Sequence, residues 1–250
     1  MPPSAIQSLS LIEEVRCAIF LIQEGLISVN QLDGANDFAH LPILLLSNGF
    51  ERLLKMVICL DYLEREGSFP DSPGFRKKIK THRVDHLLGR VIDAAKGWDY
   101  AERCVATRTD MDFLENDADL RRLVVLLAGY GESARYYNMN VIVGERNILD
   151  DPVQLFDSYC TDVFMRQPDW QERVSGDGIG EKIDEDIRHV NRHITELLQR
   201  FARALCRMFT LGKLGQAGQQ LTGIISMFLL LRDEDLRQVQ PRWFEPRESR

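Results

Sequence analysis

From Leu41 to Leu63 the chain reads LPILLLSNGFERLLKMVICLDYL. Apolar residues at Leu46, Phe50, Leu53, Leu54, Val57, Ile58 and Leu60 fill a wide stripe at helical spacing. A helix apolar over so much of its girth requires neighbours on several sides, so this segment predicts a central helix inside a helical bundle. A polar line, Asn48, Glu51 and Lys55, runs along it in steps of three and four, which places all three on one face. That line is either a solvated edge, with a Glu51–Lys55 pair worth roughly 0.2–0.5 kcal/mol, or a seam facing a partner or a ligand.

The rest of the chain keeps the same period. Leu9–Ser28 is amphipathic, and Gly25 is expected to loosen its last turn; the turn-rich NQLDGAN over 30–36 ends it. The central helix is expected over 38–65, with Pro42 near its start, where proline is tolerated. GSFPDSPG over 67–74 reads as a loop. Helices follow over 82–96 and 100–108, then one long helix over 117–143 containing Gly129 and Gly131, which permit a kink or a close crossing. A further helix is expected over 153–165 after the turn NILDDP, another over 181–211, acidic at its start and arginine-rich later as the helix dipole favours, and a last one over 219–231. Residues 1–166 therefore read as one bundle, 167–180 as a loop, and 181–250 as a long helix, a C-terminal helix and a tail packed on the same core. No strand pattern of useful length appears. The fold class is all-α: a helical bundle with long antiparallel helices and appended C-terminal helices.

With 250 residues, 44% of them hydrophobic and 28% charged, the chain can bury a large core. A net charge of −7 argues against nucleic-acid binding by bulk charge and leaves only a local basic patch. Cys17, Cys59, Cys104, Cys160 and Cys206 form no CxxC pair and fall mostly in apolar helical patterns, as reduced cysteines of a cytoplasmic protein would. The N-terminal MPPSAIQSLS has no basic region of a secretory signal, and the run from Ile224 to Leu231 is too short to span a membrane.

Two stretches pair histidines at i, i+4, His82 with His86 and His189 with His193, each placing two imidazoles on one helix face. Neither is an HExxH arrangement, and no paired Glu-x-x-His pattern faces them, so no metal and no cofactor is expected. The densest positive patch is Arg76, Lys77, Lys78, Lys80, His82 and Arg83; it suits a phosphate backbone or the wet face of a helix start.

Three stretches together resemble the HEPN superfamily of helical bundles. They are NGFERLLKMVICL (48–60) with Glu51 and Lys55, KTHRVDHLL (80–88) with His82, and YGESARYYNMN (130–140) with Arg135 and Asn138. The resemblance covers 38–143 and implies a homodimer. Many members are RNases of stress, defence or RNA-processing systems, while others bind partners without catalysis. The RNase signature is an arginine followed after four to six residues by histidine. Arg135 is followed by YYNMNVI, without that histidine. The spacing recurs instead at Arg76 to His82 and at Arg188 to His193, the latter with His189 directly after the arginine.

The expectation is therefore a non-catalytic binding or regulatory module in an RNA-linked stress or defence system. It would be a homodimer with an RNA or protein partner and no membrane. Glu51, Lys55, His82, Arg135 and Asn138 would meet as a seam between helices, and Gly212–Leu231 with Trp243 and Phe244 offer an apolar patch to a partner. The alternative is a metal-independent RNase. Its His193 or His189 would move the proton of a ribose hydroxyl and Arg188 would stabilise the phosphate charge. A metal-dependent bundle enzyme using the two histidine pairs ranks last.

Overall fold

The structure, a computed structural model, describes residues 4–70, 73, 79–132, 136–145, 151–171 and 179–237. Among them lie ten α-helices and no strand: α1 (Ala5–Asn30), α2 (His40–Glu66), α3 (Val84–Gly97), α4 (Val105–Asn116), α5 (Ala118–Glu132), α6 (Tyr137–Ile142), α7 (Pro152–Met165), α8 (Ile179–Leu211), α9 (Gly215–Gln219) and α10 (Thr222–Leu229). Short 3-10 turns cover Tyr100–Glu102 and Asp235–Arg237. The all-α bundle read from the periodicity is the fold.

Helix ends follow local chemistry. Ser4 and Gln7 form a reciprocal capping box at the start of α1. Pro42 sits in the first turn of α2, which stops at Gly67 with φ 68°, a left-handed C-cap that glycine adopts without strain. Asp151 Oδ1 accepts from the Val153 N–H and Pro152 opens α7.

The inner layer is the antiparallel pair α1 and α2. Gly25 faces Leu46, and Gly49 faces Ile22 with the carbonyl of Ala18 close by. A Cβ at Gly25 would stand 2.6 Å from Leu46 Cγ, and one at Gly49 would stand 2.9 Å from the Ile22 backbone nitrogen. Gly25 is thus a crossing residue that brings two backbones together, and it does not loosen the helix end. Around this pair, α3, α5, α8 and α9 pack on α2, while α8 and α10 pack on α1. Phe50 of α2 stacks on Phe201 of α8 with ring centroids 4.5 Å apart. Buried side chains from α1 through the 3-10 turn at Asp235–Arg237 form one core, so the long helix and the C-terminal helices belong to the same bundle.

Several boundaries differ from the sequence reading. The expected helix over 117–143 is two: α5 ends at Glu132, and Tyr136 at the start of α6 has φ −104° and ψ 11°, off the helical path. Gly131 is a close crossing, since a Cβ there would lie 2.9 Å from Ser47 Oγ and 3.0 Å from the His82 carbonyl oxygen. The expected helix over 100–108 is broken in the middle: Tyr100–Glu102 is a 3-10 turn after Asp99 enters the left-handed region at φ 55°, Cys104 is fully extended, and 105–108 are the first turn of α4. The helix proper is α4, which starts only after Cys104. The long helix begins at Ile179, inside the expected loop; the last helix is α10, and a separate short helix, α9, precedes it, opening at Gly215 with φ 63°.

Candidate functional site

Three places gather polar side chains or open space. The first is a groove of about 450 Å³ between the α1–α2 loop, α7 and α8. Its floor is apolar, with Leu32, Phe156, Phe164, Ile187 and Val190 among the lining side chains. The loop is held against α8 by three hydrogen bonds: Asn191 Nδ2 donates to the Leu32 carbonyl at 2.8 Å, the Gly34 N–H to Asp184 Oδ1 at 3.1 Å, and Thr195 Oγ1 to Asn30 Oδ1 at 3.3 Å. Asp33 Oδ1 accepts from the N–H groups of Ala35 and Asn36 and fixes the turn itself. The Cys160 thiol lies in the wall, where burial pushes it up to about 12, so it is no nucleophile at neutral pH. Asp33, Asp37, Asp157 and Asp186 complete the lining.

The second place is the seam on α2. Lys55 Nζ donates to Glu51 Oε1 at 2.6 Å, and His82 Nδ1 lies 3.1 Å from both carboxylate oxygens of Glu51. Glu51 and Lys55 are largely buried, while the His82 side chain is half exposed. The structure therefore brings together Glu51, Lys55 and His82. Asn48 turns away and donates to the Leu44 carbonyl of its own helix, and Asn138 is exposed on α6. Arg135, Arg76, Lys77 and Lys78 lie outside the described residues, as do Trp243 and Phe244.

The third place is the middle of α8. His193 Nε2 sits 3.2 Å from Asp119 Oδ2 at the start of α5. Arg166, just past α7, grips both oxygens of the same carboxylate at 2.6 and 2.9 Å. The hydrogen bonds from Arg166, ahead of the opposing effect of burial and the charges of Arg166 and His193, hold the Asp119 carboxyl below its ordinary range. Arg188 and His189 are exposed on the outside of α8. Arg188 stands about 140° around the helix from His193, and the two do not converge. The arginine that does join His193 is Arg166, from a different helix. No local spacing announces that contact, since Asp119, Arg166 and His193 come from three distant segments.

Among the described residues no three His, Cys, Asp or Glu side chains cluster as metal ligands, and no helix is long and apolar enough to cross a membrane. Comparison of the chain with protein-family models, with curated proteins and with solved structures gives no match in any of the three.

Proposed function

We propose that this chain is a HEPN-like helical module of the cytoplasm that works by binding, with the groove between the α1–α2 loop, α7 and α8 as its binding site. The observation that carries the reading is the groove itself. Its volume falls within the roughly 300–1,000 Å³ typical of small-molecule sites, and its apolar floor with a few polar groups at the edge is their usual chemistry. Its one cysteine is too strongly protonated to act as a nucleophile. The resemblance assigns such a module to an RNA-linked stress or defence system as a partner-binding homodimer. Ile6, Leu9 and Phe20 are exposed on one side of α1, with the exposed Glu13–Arg16 ion pair between them, so that face offers a second copy a mixed apolar and charged surface.

The rival reading is a metal-independent RNase. It requires an arginine and a histidine free to share one phosphate. Arg188 faces away from His193, and Asp119 already takes the place of an anion between His193 and Arg166. Both facts weigh against it.

The test is incubation of total RNA and tRNA with the purified protein, with and without EDTA, beside the Arg188→Ala/His193→Ala variant. Intact RNA at high protein concentration is expected. Cleavage that survives EDTA and is lost in the variant would overturn the binding reading and restore the RNase.

A further inference from the structure

Three arginines of α8, Arg200, Arg203 and Arg207, follow at intervals of three and four residues and share one face, within about 60° around the helix. Two carboxylates meet that face. Asp110 of α4, buried, accepts from Arg207 Nη1 at 2.8 Å. Asp233, beyond α10 and almost wholly in solvent, accepts from Arg203 Nη2 at 2.7 Å. Arg200 has no carboxylate among the described residues; its guanidinium lies 4.0 Å from the centre of the Phe113 ring and is partly exposed. The acids next to Asp233 do not supply one, since Glu234 and Asp235 both pair with Arg232. Three guanidiniums against two carboxylates leave one positive charge over.

The hold on Asp233 is also incomplete. Nε and Nη2 of an arginine project their hydrogens in parallel, the edge with which a guanidinium grips two oxygens at once. Asp233 engages only Nη2. Nε of Arg203, a side chain only 5% exposed, has no hydrogen-bond partner among the described residues, and buried donors are seldom left so. The hydrogen bond and charge of Arg203, and past the opposing effect of burial the charges of Arg207 and Arg200, hold the Asp233 carboxyl below its ordinary range. An anion at that position is thus drawn by all three arginines.

We infer that Arg200, Arg203 and Arg207 form a phosphate site, in which Asp233 stands as an internal anion that a phosphate group displaces. The site is separate from the groove, roughly 18 Å along α8 from Asn191 to Arg203, and does not depend on the binding-module reading. A phosphate group brings three acceptor oxygens and a charge of about −1.5 to −2 at neutral pH. It can take Nε and Nη2 of Arg203 together and still reach Arg200, which one carboxylate oxygen does not. Arginine suits this role because its planar fork matches the spacing of phosphate oxygens. Asp233 leaves into solvent without crossing the core, and the Arg207–Asp110 pair stays in place beneath.

Isothermal titration calorimetry with inorganic phosphate, phenyl phosphate and the uncharged trimethyl phosphate, at fixed ionic strength, tests this. Phosphate is expected to bind the unaltered protein in the millimolar range and Asp233→Ala about tenfold tighter, because a tethered competitor has been removed. Arg200→Gln in the Asp233→Ala protein should weaken phosphate about tenfold, through loss of a charge-assisted fork. Trimethyl phosphate should show no binding. Phenyl phosphate binding more tightly than phosphate would support the site as one for an organic ester; equal affinity would support it as one for the free ion. No phosphate binding by the unaltered, folded protein at tens of millimolar would overturn the inference. Equal affinity of the unaltered protein and Asp233→Ala would do so too, and that comparison decides alone should the Arg200→Gln protein not fold. Affinity untouched by Arg200→Gln would place the phosphate elsewhere and overturn the assignment.

Discussion

Arg203, almost wholly buried on α8, reaches the carboxylate of Asp233, which stands almost fully exposed beyond α10; Nη2 and Oδ1 are 2.7 Å apart. Nη1 of the same guanidinium donates to the Leu231 carbonyl at 3.0 Å. The segment after α10 is thereby fastened over a buried charge.

The two ends of this pair should respond unequally to mutation. Asp233→Asn removes a counter-ion that water largely screens and should cost about 0.5–1 kcal/mol. Arg203→Ala also leaves the Leu231 carbonyl unpaired and a space in the core, and should cost about 3–4 kcal/mol. Urea unfolding at low and high salt checks this. Equal losses, or a salt-insensitive Asp233→Asn effect, would refute the assignment.

Asp119 makes an acid-sensitive joint. Arg166 holds its folded carboxyl below the ordinary carboxylate value of about 3.9, so the unfolded chain binds that proton more readily. The stabilisation is complete above the unfolded value and is lost as pH falls through the lower folded one. Asp119→Asn should therefore lower stability by about 1–2 kcal/mol at pH 7 and much less near pH 3. Melting temperatures of the two proteins between pH 7 and pH 3 should converge.

Two glycines on different surfaces should give opposite signs. Gly49→Ala drives a methyl group against the Ile22 backbone and should cost about 2–3 kcal/mol. Gly129→Ala, with nothing within 4 Å of the new Cβ, should gain about 0.5–1 kcal/mol from helix propensity. Chemical denaturation of both variants decides it, and a neutral Gly49→Ala would mean the α1–α2 crossing is looser than described.

Cysteine labelling should follow environment. Cys104 is exposed at the start of α4, and backbone N–H groups of Thr107 and then Ala106, with the Thr107 hydroxyl, favour its thiolate. Cys206 is fully buried and its thiol is driven up by burial. Iodoacetamide at neutral pH followed by mass spectrometry should modify Cys104 first and Cys206 only on unfolding.

What the sequence could disclose depended on how local each signal was. The central helix was legible because Phe50, Leu53, Leu54 and Val57 repeat a helical period, and Lys55 meets Glu51 because four residues make one turn. The third member, His82, joins them from thirty-one residues away, a contact that no local spacing announces. Helix α4 was read only in its first turn, because its start carries Cys104 in place of a strong capping residue and its buried face includes Thr107 and Asp110. Asp110 is tolerated there because Arg207, distant in sequence, binds it at 2.8 Å. The groove had no sequence signature, since its walls come from three separate segments and its emptiness belongs to none of them.

The hydrogen bonds that moor residues 30–34 to α8 have a consequence for the making of the protein. They close loops of 150 residues and more. The hairpin of α1 and α2 is a nearest-neighbour structure and can form as soon as both helices have left the ribosome. Its partner Phe201 and the residues that fix the α1–α2 loop, Asp184, Asn191 and Thr195, are synthesised more than a hundred residues after that hairpin. Throughout that interval the faces of the hairpin that pack on α8 have no partner, even where α3 and α5 already cover the rest of α2. Its passage to the native state is therefore governed by how well those faces are shielded from other chains until the long helix arrives.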